Sequence, residues 1–254
     1  MLECFAICDM GLVRQSNQDN IYINGIYRED VSDNSLFVFH DTTSSCGMYA
    51  VADGMGGEQH GELASLIAVQ TLRTINFADR HNSLMQYLTG KNDEICNLAS
   101  GKGNIRIGTT FTGLCINGQN VDVVNIGDSR AYLLRDDDLM QLSRDHTSVQ
   151  QMVDFGVITR EAARSHSRRH VLTQHLGISP DEMIIEPFAQ NFTLWENDLF
   201  LLCSDGLTDM VDDAKIKSIL KMQGAVRFKA QELYIEAIQN GGKDNISILL
   251  VHVK

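Results

Sequence analysis

The apolar residues of this chain are broken into short runs that end on an aspartate beside a glycine. Ala50-Val51-Ala52-Asp53-Gly54 and Leu201-Leu202-Cys203-Ser204-Asp205-Gly206 share this design, and Val124-Asn125-Ile126-Gly127-Asp128 repeats it with the glycine placed before the acid. Runs of that length, rich in β-branched and aliphatic residues and bounded by Gly and Asp, read as strands. Strands are expected at Phe5–Cys8, Asn20–Ile23, Met48–Ala52, Ile184–Phe188, Leu199–Cys203 and Asn245–Val253. The middle, Thr109–Ile116, Val121–Ile126, Ala131–Leu134 and Leu139–Leu142, reads as an antiparallel meander. The polar stretch Tyr27 to Ser35 reads as a surface loop.

Helical spacing of apolar residues follows Glu62, recurs through Leu84, Leu88, Ile95 and Leu98, and returns at Ser148–Phe155, Arg160–Arg164, Ala214–Met222 and Val226–Gln239. Strands outnumber what a βαβ alternation would supply, so the expected class is α+β, with helices packed outside sheets rather than a doubly wound parallel fold. No Pro- or Ser-rich linker and no repeat divides the 254 residues, and one domain over 1–254 is expected.

Charge narrows the partners. With 33 acidic and 21 basic side chains the formal net charge is −12, which repels nucleic-acid phosphates and anionic lipid. No apolar run approaches the ~18 residues of a membrane-spanning helix. Met1 to Asp9 lacks the basic start and long apolar middle of a secretory signal. The 6 cysteines form no CxxC pair and lie mostly in apolar surroundings, as free thiols of a reducing compartment do, so a cytoplasmic protein is expected.

Asp53, Asp205, Asp128, Asp244 before the last strand and Asp19 before the second are all placed at strand ends. Gathered together, such carboxylates repel unless cations sit between them. All-oxygen donors suit Mg²⁺, Mn²⁺ or Ca²⁺, and the absence of CxxC and HExxH removes the usual zinc patterns. Each Asp-Gly taken singly is more often an ordinary turn than a ligand.

The order and wording of the motifs are more specific than any one of them. Gly11-Leu12-Val13-Arg14 with Asn17-Gln18-Asp19, then Asp53-Gly54-Met55-Gly56-Gly57, Gly108-Thr109-Thr110, Gly127-Asp128-Ser129-Arg130, Ser204-Asp205-Gly206-Leu207 and Gly241-Gly242-Lys243-Asp244-Asn245 span nearly the whole chain. The sequence thereby resembles the bacterial branch of the PPM (type 2C) metal-dependent protein serine/threonine phosphatases. The resemblance implies a central sandwich of two antiparallel β-sheets flanked by α-helices, with a binuclear Mn²⁺ or Mg²⁺ centre at one end. It implies that Asp53 bridges the metals, Gly54 offers its carbonyl, Asp205 and Asp244 complete one ion's protein ligands, and Asp19 holds a metal-bound water. Asp128 with Asp205 would make a third, weaker metal site, and Arg14 would grip the substrate phosphate. The implied activity is hydrolysis of phosphoserine and phosphothreonine in proteins by a metal-activated water, without a phosphoenzyme, opposing Hanks-type kinases; nothing in the sequence resembles a coiled coil, and a monomer is the default expectation.

Some positions depart from the pattern. Met55 stands where eukaryotic members carry a His proposed as general acid, and His60, the nearest imidazole in sequence, reads as a loop residue. Gln18 replaces a frequent Glu, Ile107 a frequent Met, and Glu62 reads as the acid at a helix start, where the dipole favours it. The flap-like segment of about 144–175 carries His146, His166, His170 and His175 with Arg144, Arg160, Arg164, Arg168 and Arg169. This basic density reads either as a receiver for a phosphorylated substrate segment or as a solvated loop. Cys203 should face away from the strand neighbours on either side of it, as a buried structural thiol. Two other functions are weighed: a pseudophosphatase that binds without turnover, against which the complete set of acids and Arg14 counts, and a nuclease, against which the charge counts.

Overall fold

The computed structural model describes residues 1–56, 60–103 and 105–254; Gly57 of the glycine-rich motif lies outside them. Strands β1 (Leu2–Asp9), β2 (Asp19–Ile23), β3 (Ile26–Tyr27), β4 (Phe37–Thr43) and β5 (Cys46–Met55) precede helices α1 (Gly61–Val69) and α2 (Arg80–Gly101). Then come β6 (Gly108–Thr109), β7 (Phe111–Asn117), β8 (Asn120–Ile126), β9 (Arg130–Arg135), β10 (Asp138–Gln141), α3 (Ser148–Asp154) and α4 (Arg160–Arg164). The chain closes with β11 (Phe188–Thr193), β12 (Leu199–Cys203), α5 (Asp205–Thr208), α6 (Asp213–Leu220), α7 (Val226–Gln239) and β13 (Ile246–Val253).

Two antiparallel sheets face each other. One has the order β10-β9-β12-β13-β1-β4; the other has β11-β8-β7-β5-β2-β3, with β6 paired to β5. Cys4, Ala6, Ile21, Val51, Leu114, Val123, Phe200, Leu202, Leu249 and Val251 meet between the sheets. On the outer face of the first sheet, Leu201, Ile248 and Leu250 pack with Leu207, Ile216, Ala230 and Leu233 from α5 to α7. On the outer face of the second, Ala50 and Phe111 pack with Ala64 and Ala68 of α1 and Leu84, Leu88 and Ile95 of α2. The result is the expected α+β four-layer sandwich.

This layering explains the strand signals. All five residues of β12 are buried, because the partner sheet covers one face and helices the other. Burial on both faces removes the polar alternation that a half-solvated strand shows. The edge strand β4 alternates half-buried with exposed residues and was not expected from sequence, since Phe37-Val38-Phe39-His40-Asp41 follows directly on the polar loop.

Two expectations are corrected. The middle strands are not one meander: β7 pairs β8 and β9 pairs β10, but β8 and β9 lie in different sheets. The β8–β9 connection, Gly127-Asp128-Ser129, therefore crosses the end of the sandwich. Ile184–Ile185 and the residues up to Pro187 are not a strand; pairing to β8 begins only at Phe188. An apolar run predicts burial but cannot supply the partner strand that makes it a ladder.

Candidate active site

At the end of the sandwich where β8 crosses to β9, the motifs converge on one another through hydrogen bonds. Asp19 opens β2 and stands directly across from Asp53 of β5 in the ladder. Like charges opposite each other are destabilising, so this pairing has no purely structural rationale. Asp53 is fixed through its backbone by the Gly-Thr-Thr motif. Its N–H donates to Thr110 Oγ1 at 3.0 Å, and its carbonyl accepts from Thr110 N and Thr109 Oγ1, both at 2.9 Å. Thr110 Oγ1 in turn lies 2.7 Å from Ser129 Oγ, which ties this motif to Gly-Asp-Ser-Arg.

Asn245 knits the remaining loops together. Its Oδ1 accepts from Gln18 N at 2.8 Å, and its Nδ2 donates to the carbonyls of Met10 at 2.9 Å and Ser16 at 3.0 Å. The loop that carries Arg14 is thereby strapped to the strand that follows Asp244. Close backbone approach demands glycine at two of these crossings: a Cβ on Gly54 would stand 2.1 Å from the Gly61 carbonyl oxygen, and one on Gly206 2.0 Å from that of Asn245. The role of glycine after each Asp is thus tight backbone packing in addition to turning.

A cleft of about 510 Å³ is lined by Arg14, Asp53, Gly54, Asp128, Asp205 and Asp244, among others. Six of the seven residues singled out from sequence thus share one wall system. Asp19 is the exception, lying beneath the cleft with 1% exposure. Asp205 also departs from the strand-end expectation: β12 stops at Cys203, and Asp205 is the first residue of α5.

The electrostatics are those of crowded like charges, half-buried around fully buried Asp19. Burial, followed by Asp19, Asp205, Asp128 and Asp244, holds the Asp53 carboxyl well above the usual carboxylate range. Burial, then Asp205, does the same for Asp128. Asp19 is pushed up to about 7 by burial, with Ser247 and Ser204 pulling it down and Asp244 and Asp205 pushing further up. One of its oxygens, Oδ1, is buried without a hydrogen-bond partner. A buried acceptor left unmatched costs about 1–3 kcal/mol, so a site that keeps one is built for a group that completes it. An all-oxygen donor set of this charge fits a hard divalent cation.

Basic groups edge the cleft. Arg14 Nη2 lies 2.5 Å from Asp244 Oδ2, with the guanidinium half-exposed. His170 Nδ1 is 3.6 Å from Asp205 Oδ2, and its Nε2 is 3.4 Å from Asp209 Oδ2. A hydrogen bond to Asp205 raises the His170 imidazole above its ordinary value against the opposing effect of burial. Among the described residues, His170, Asp205 and Asp209 are the group of three whose ligand atoms all come within 4.8 Å of one another. Asp209 was not singled out from sequence; it lies one helical turn after Asp205, a spacing that could have found it.

His60 takes a left-handed conformation at the start of α1, with Nδ1 4.0 Å from Glu62 Oε1, and is absent from the described cleft lining. The loop reading for His60 and the helix-start reading for Glu62 agree with this placement. Three of the five flap arginines face acids: Arg144 pairs with Asp154 at 2.5 Å, Arg164 with Asp213 at 3.2 Å and Arg169 with Asp209 at 3.9 Å. Cys203 is buried with Leu199 and Leu201 under the helices, and burial pushes its thiol up to about 12.

A family model for protein phosphatase 2C matches residues 21–233. Serine/threonine phosphatase stp of Listeria innocua is 32% identical over 252 residues, covering 96% of this chain and 92% of that protein. Serine/threonine protein phosphatase PstP of Mycobacterium tuberculosis is 33% identical over 258 residues, covering all of this chain and 45% of that protein. The crystal structure of Stp1 from Staphylococcus aureus aligns over 100% of this chain and 96% of its own with TM-score 0.86 and 28% identity. The PstP catalytic domain in complex with 2 manganese ions aligns over all of both chains with TM-score 0.79 and 31% identity. Matching in sequence over most of its length and in fold over all of it, the chain belongs to the protein phosphatase 2C family and is a protein serine/threonine phosphatase.

Proposed function

We propose that this phosphatase hydrolyses phosphoserine and phosphothreonine in proteins with a pair of divalent cations, Mn²⁺ or Mg²⁺, seated in the acid cluster, and that it reverses the action of a Hanks-type serine/threonine kinase. The observation that carries the reading is the crowding of mutually repelling carboxylates, half-buried around buried Asp19, at one end of the sandwich, with Asp19 Oδ1 unmatched. Asp53, the Gly54 carbonyl, Asp205 and Asp244 would hold the ions, Asp19 would act on them from below, and Asp128 with Asp205 would offer a third, weaker site. When bound, such cations supply a nucleophilic water near neutral pH and neutralise charge on the phosphoryl oxygens.

The chain's own residues supply the rest. Arg14 presents a planar fork of donors at the cleft mouth, suited to two phosphate oxygens, where Lys would be a point charge. Asn245 holds the Arg14 loop against Asp244, so that the phosphate grip and the cation site keep a constant spacing. Met55 carries no proton to donate to the departing serine or threonine oxygen, so protonation comes from water or from another group of the cleft. Among the described residues no helix is long and apolar enough to cross a membrane. A monomer acting in the cytoplasm on phosphorylated proteins, without nucleic acid or membrane insertion, completes the reading.

The test is turnover of a phosphothreonine peptide with Mn²⁺, with Mg²⁺ and with chelator, alongside Asp53→Asn and Asp205→Asn. Metal-dependent turnover lost in both variants is expected. Equal turnover in chelator would remove the cations from the reaction, and no turnover by folded protein with either metal would leave a phosphoprotein-binding domain as the function.

A further inference from the structure

Asp19 is held by residues that no motif role explains. Its Oδ2 accepts from Ser204 Oγ and from Ser247 Oγ, each at 2.7 Å, while Oδ1 takes no partner. The two hydroxyls come from different places, Ser204 from the junction of β12 and α5 and Ser247 from β13, and both residues are completely buried. Ser204 also accepts from Ser247 N at 3.0 Å, so the two are braced against each other.

Neither serine is placed where local structure alone would want it. Ser204 occupies the N-cap position of α5, a place where serine normally accepts from a backbone N–H two or three residues on, yet it makes no such cap. Its hydroxyl is turned to Asp19 instead. Ser247 interrupts Ile246-Ser247-Ile248-Leu249-Leu250-Val251, an otherwise apolar buried strand, where an unmatched hydroxyl would be costly. It faces Cys8 in the β1–β13 ladder and lies 3.3 Å from that thiol as well.

The backbone of Asp19 is fixed independently. Buried Arg28 donates from Nη1 to the Asp19 carbonyl at 2.5 Å and from Nη2 to the Asp33 carbonyl at 2.7 Å, and Asp19 N donates to Asn17 Oδ1 at 3.1 Å. With the main chain set in this way, the remaining freedom of the residue is rotation of its carboxylate. Two donors on one oxygen remove it.

We propose that Ser204 and Ser247 are positioning residues that lock the Asp19 carboxylate through Oδ2 and so reserve Oδ1 for the divalent cations of the catalytic cleft. The inference rests on the proposed cation-dependent function. Groups that orient a metal's ligands typically matter by about 10–100-fold in affinity or activity when removed. Each serine is thus expected to contribute about tenfold to cation affinity, and the pair more than the sum of the singles, because either hydroxyl alone still holds the same oxygen.

The experiment measures Mn²⁺ binding by titration calorimetry for the wild type, Ser204→Ala, Ser247→Ala, the double variant and each of these in an Asp19→Asn background, with melting in chelator as the folding control. The expected result is a Mn²⁺ dissociation constant about tenfold weaker in each single variant and more than about a hundredfold weaker in the double one, with chelated melting lowered but still cooperative. In the Asp19→Asn background the serine substitutions should add no further loss. An unchanged dissociation constant in the folded variants would overturn the proposal, and so would an equal loss in the Asp19→Asn background, since the serines would then act without Asp19. If the double variant does not fold, the two single variants decide by the same criteria. A wild type that binds no Mn²⁺ would overturn the cation-dependent function itself, and this inference with it; a wild type that binds while the serines have no effect overturns the inference alone.

Discussion

The acid cluster and the flap-like segment are both dense in charge, and they use it in opposite ways. Asp19 is buried, Asp53 and Asp128 are half-buried, all three have like charges for neighbours, and their carboxyls are held above the usual range. On the flap, Arg144 and Arg164 are half-exposed and each faces a carboxylate of opposite sign. Unlike charges at a surface satisfy one another and screen, whereas like charges forced together in a core remain in debt until a counter-ion joins them. Charge density in a sequence does not separate these cases; which charges face each other does.

The largest effect should come from breaking the cluster. Asp53→Asn is expected to lower turnover of a phosphothreonine peptide by at least about a thousandfold, several kcal/mol of transition-state stabilisation. The same variant should melt higher than the wild type in chelator. The sign follows from the raised Asp53 carboxyl: the folded state binds more protons than the unfolded one above the ordinary pKa, so stability is lost as pH rises toward the folded value, and the neutral amide removes that loss. A chelated Asp53→Asn protein that melts below the wild type would show that the cluster is not under repulsion.

Next in size is Gly206→Ala, whose new Cβ would meet the Asn245 carbonyl oxygen at 2.0 Å. Backbone cannot yield as a side chain can, so a loss of about 1–3 kcal/mol in urea unfolding is expected. A neutral result would mean that α5 and the Asp244–Asn245 segment are free to part. Arg14→Lys keeps the charge and loses the fork, and should cost about tenfold in kcat/KM, about 1.4 kcal/mol. An unchanged kcat/KM would take Arg14 out of the phosphate site.

The flap supplies the smaller effects. Burial holds the His146 imidazole below its ordinary value, and its Nδ1 accepts from Gly127 N at 3.1 Å, which requires the neutral ring. The unfolded chain therefore binds the extra proton, and stability is lost as pH falls through about 6.5, at no more than about 1.4 kcal/mol per pH unit. His146→Gln should flatten that part of the pH–stability curve, and an unchanged slope would assign it to other groups. Arg164→Ala, which opens an exposed pair with Asp213, should change stability by less than about 1 kcal/mol, and a larger change in Tm would show that the flap is held by this pair.

Asp53, Asp128 and Asp205 were legible as acids closing apolar runs and Asp244 as the acid before one, with the order of the motifs joining them, and the α+β class was legible from short runs too frequent for a βαβ alternation. Helix α7 was read at its observed bounds because an amphipathic period is also local. The crossing of the chain between sheets after Ile126 was not legible, since Gly127-Asp128-Ser129 reads equally well as a hairpin turn. Nor was the edge strand β4, whose hydrogen bonds go to β1, about 35 residues away along the chain.

The sequence by itself determined which residue types arrive at the ends of strands; the short-range rules of burial, turning and chain reversal suffice for that, and only the closing of the sheets gathers those acids into one cluster. Only the tertiary structure decided that Asp19 would lie under the cleft with its carboxylate held by Ser204 and Ser247, which are 185 and 228 positions away along the chain. It likewise decided that Arg144, Arg164 and Arg169 would be matched by acids of α3, α6 and the turn after α5. Hydrogen bonds and ion pairs act over a few ångströms of space without regard to separation in sequence, so partners of this kind exist only once the sheets have closed on one another.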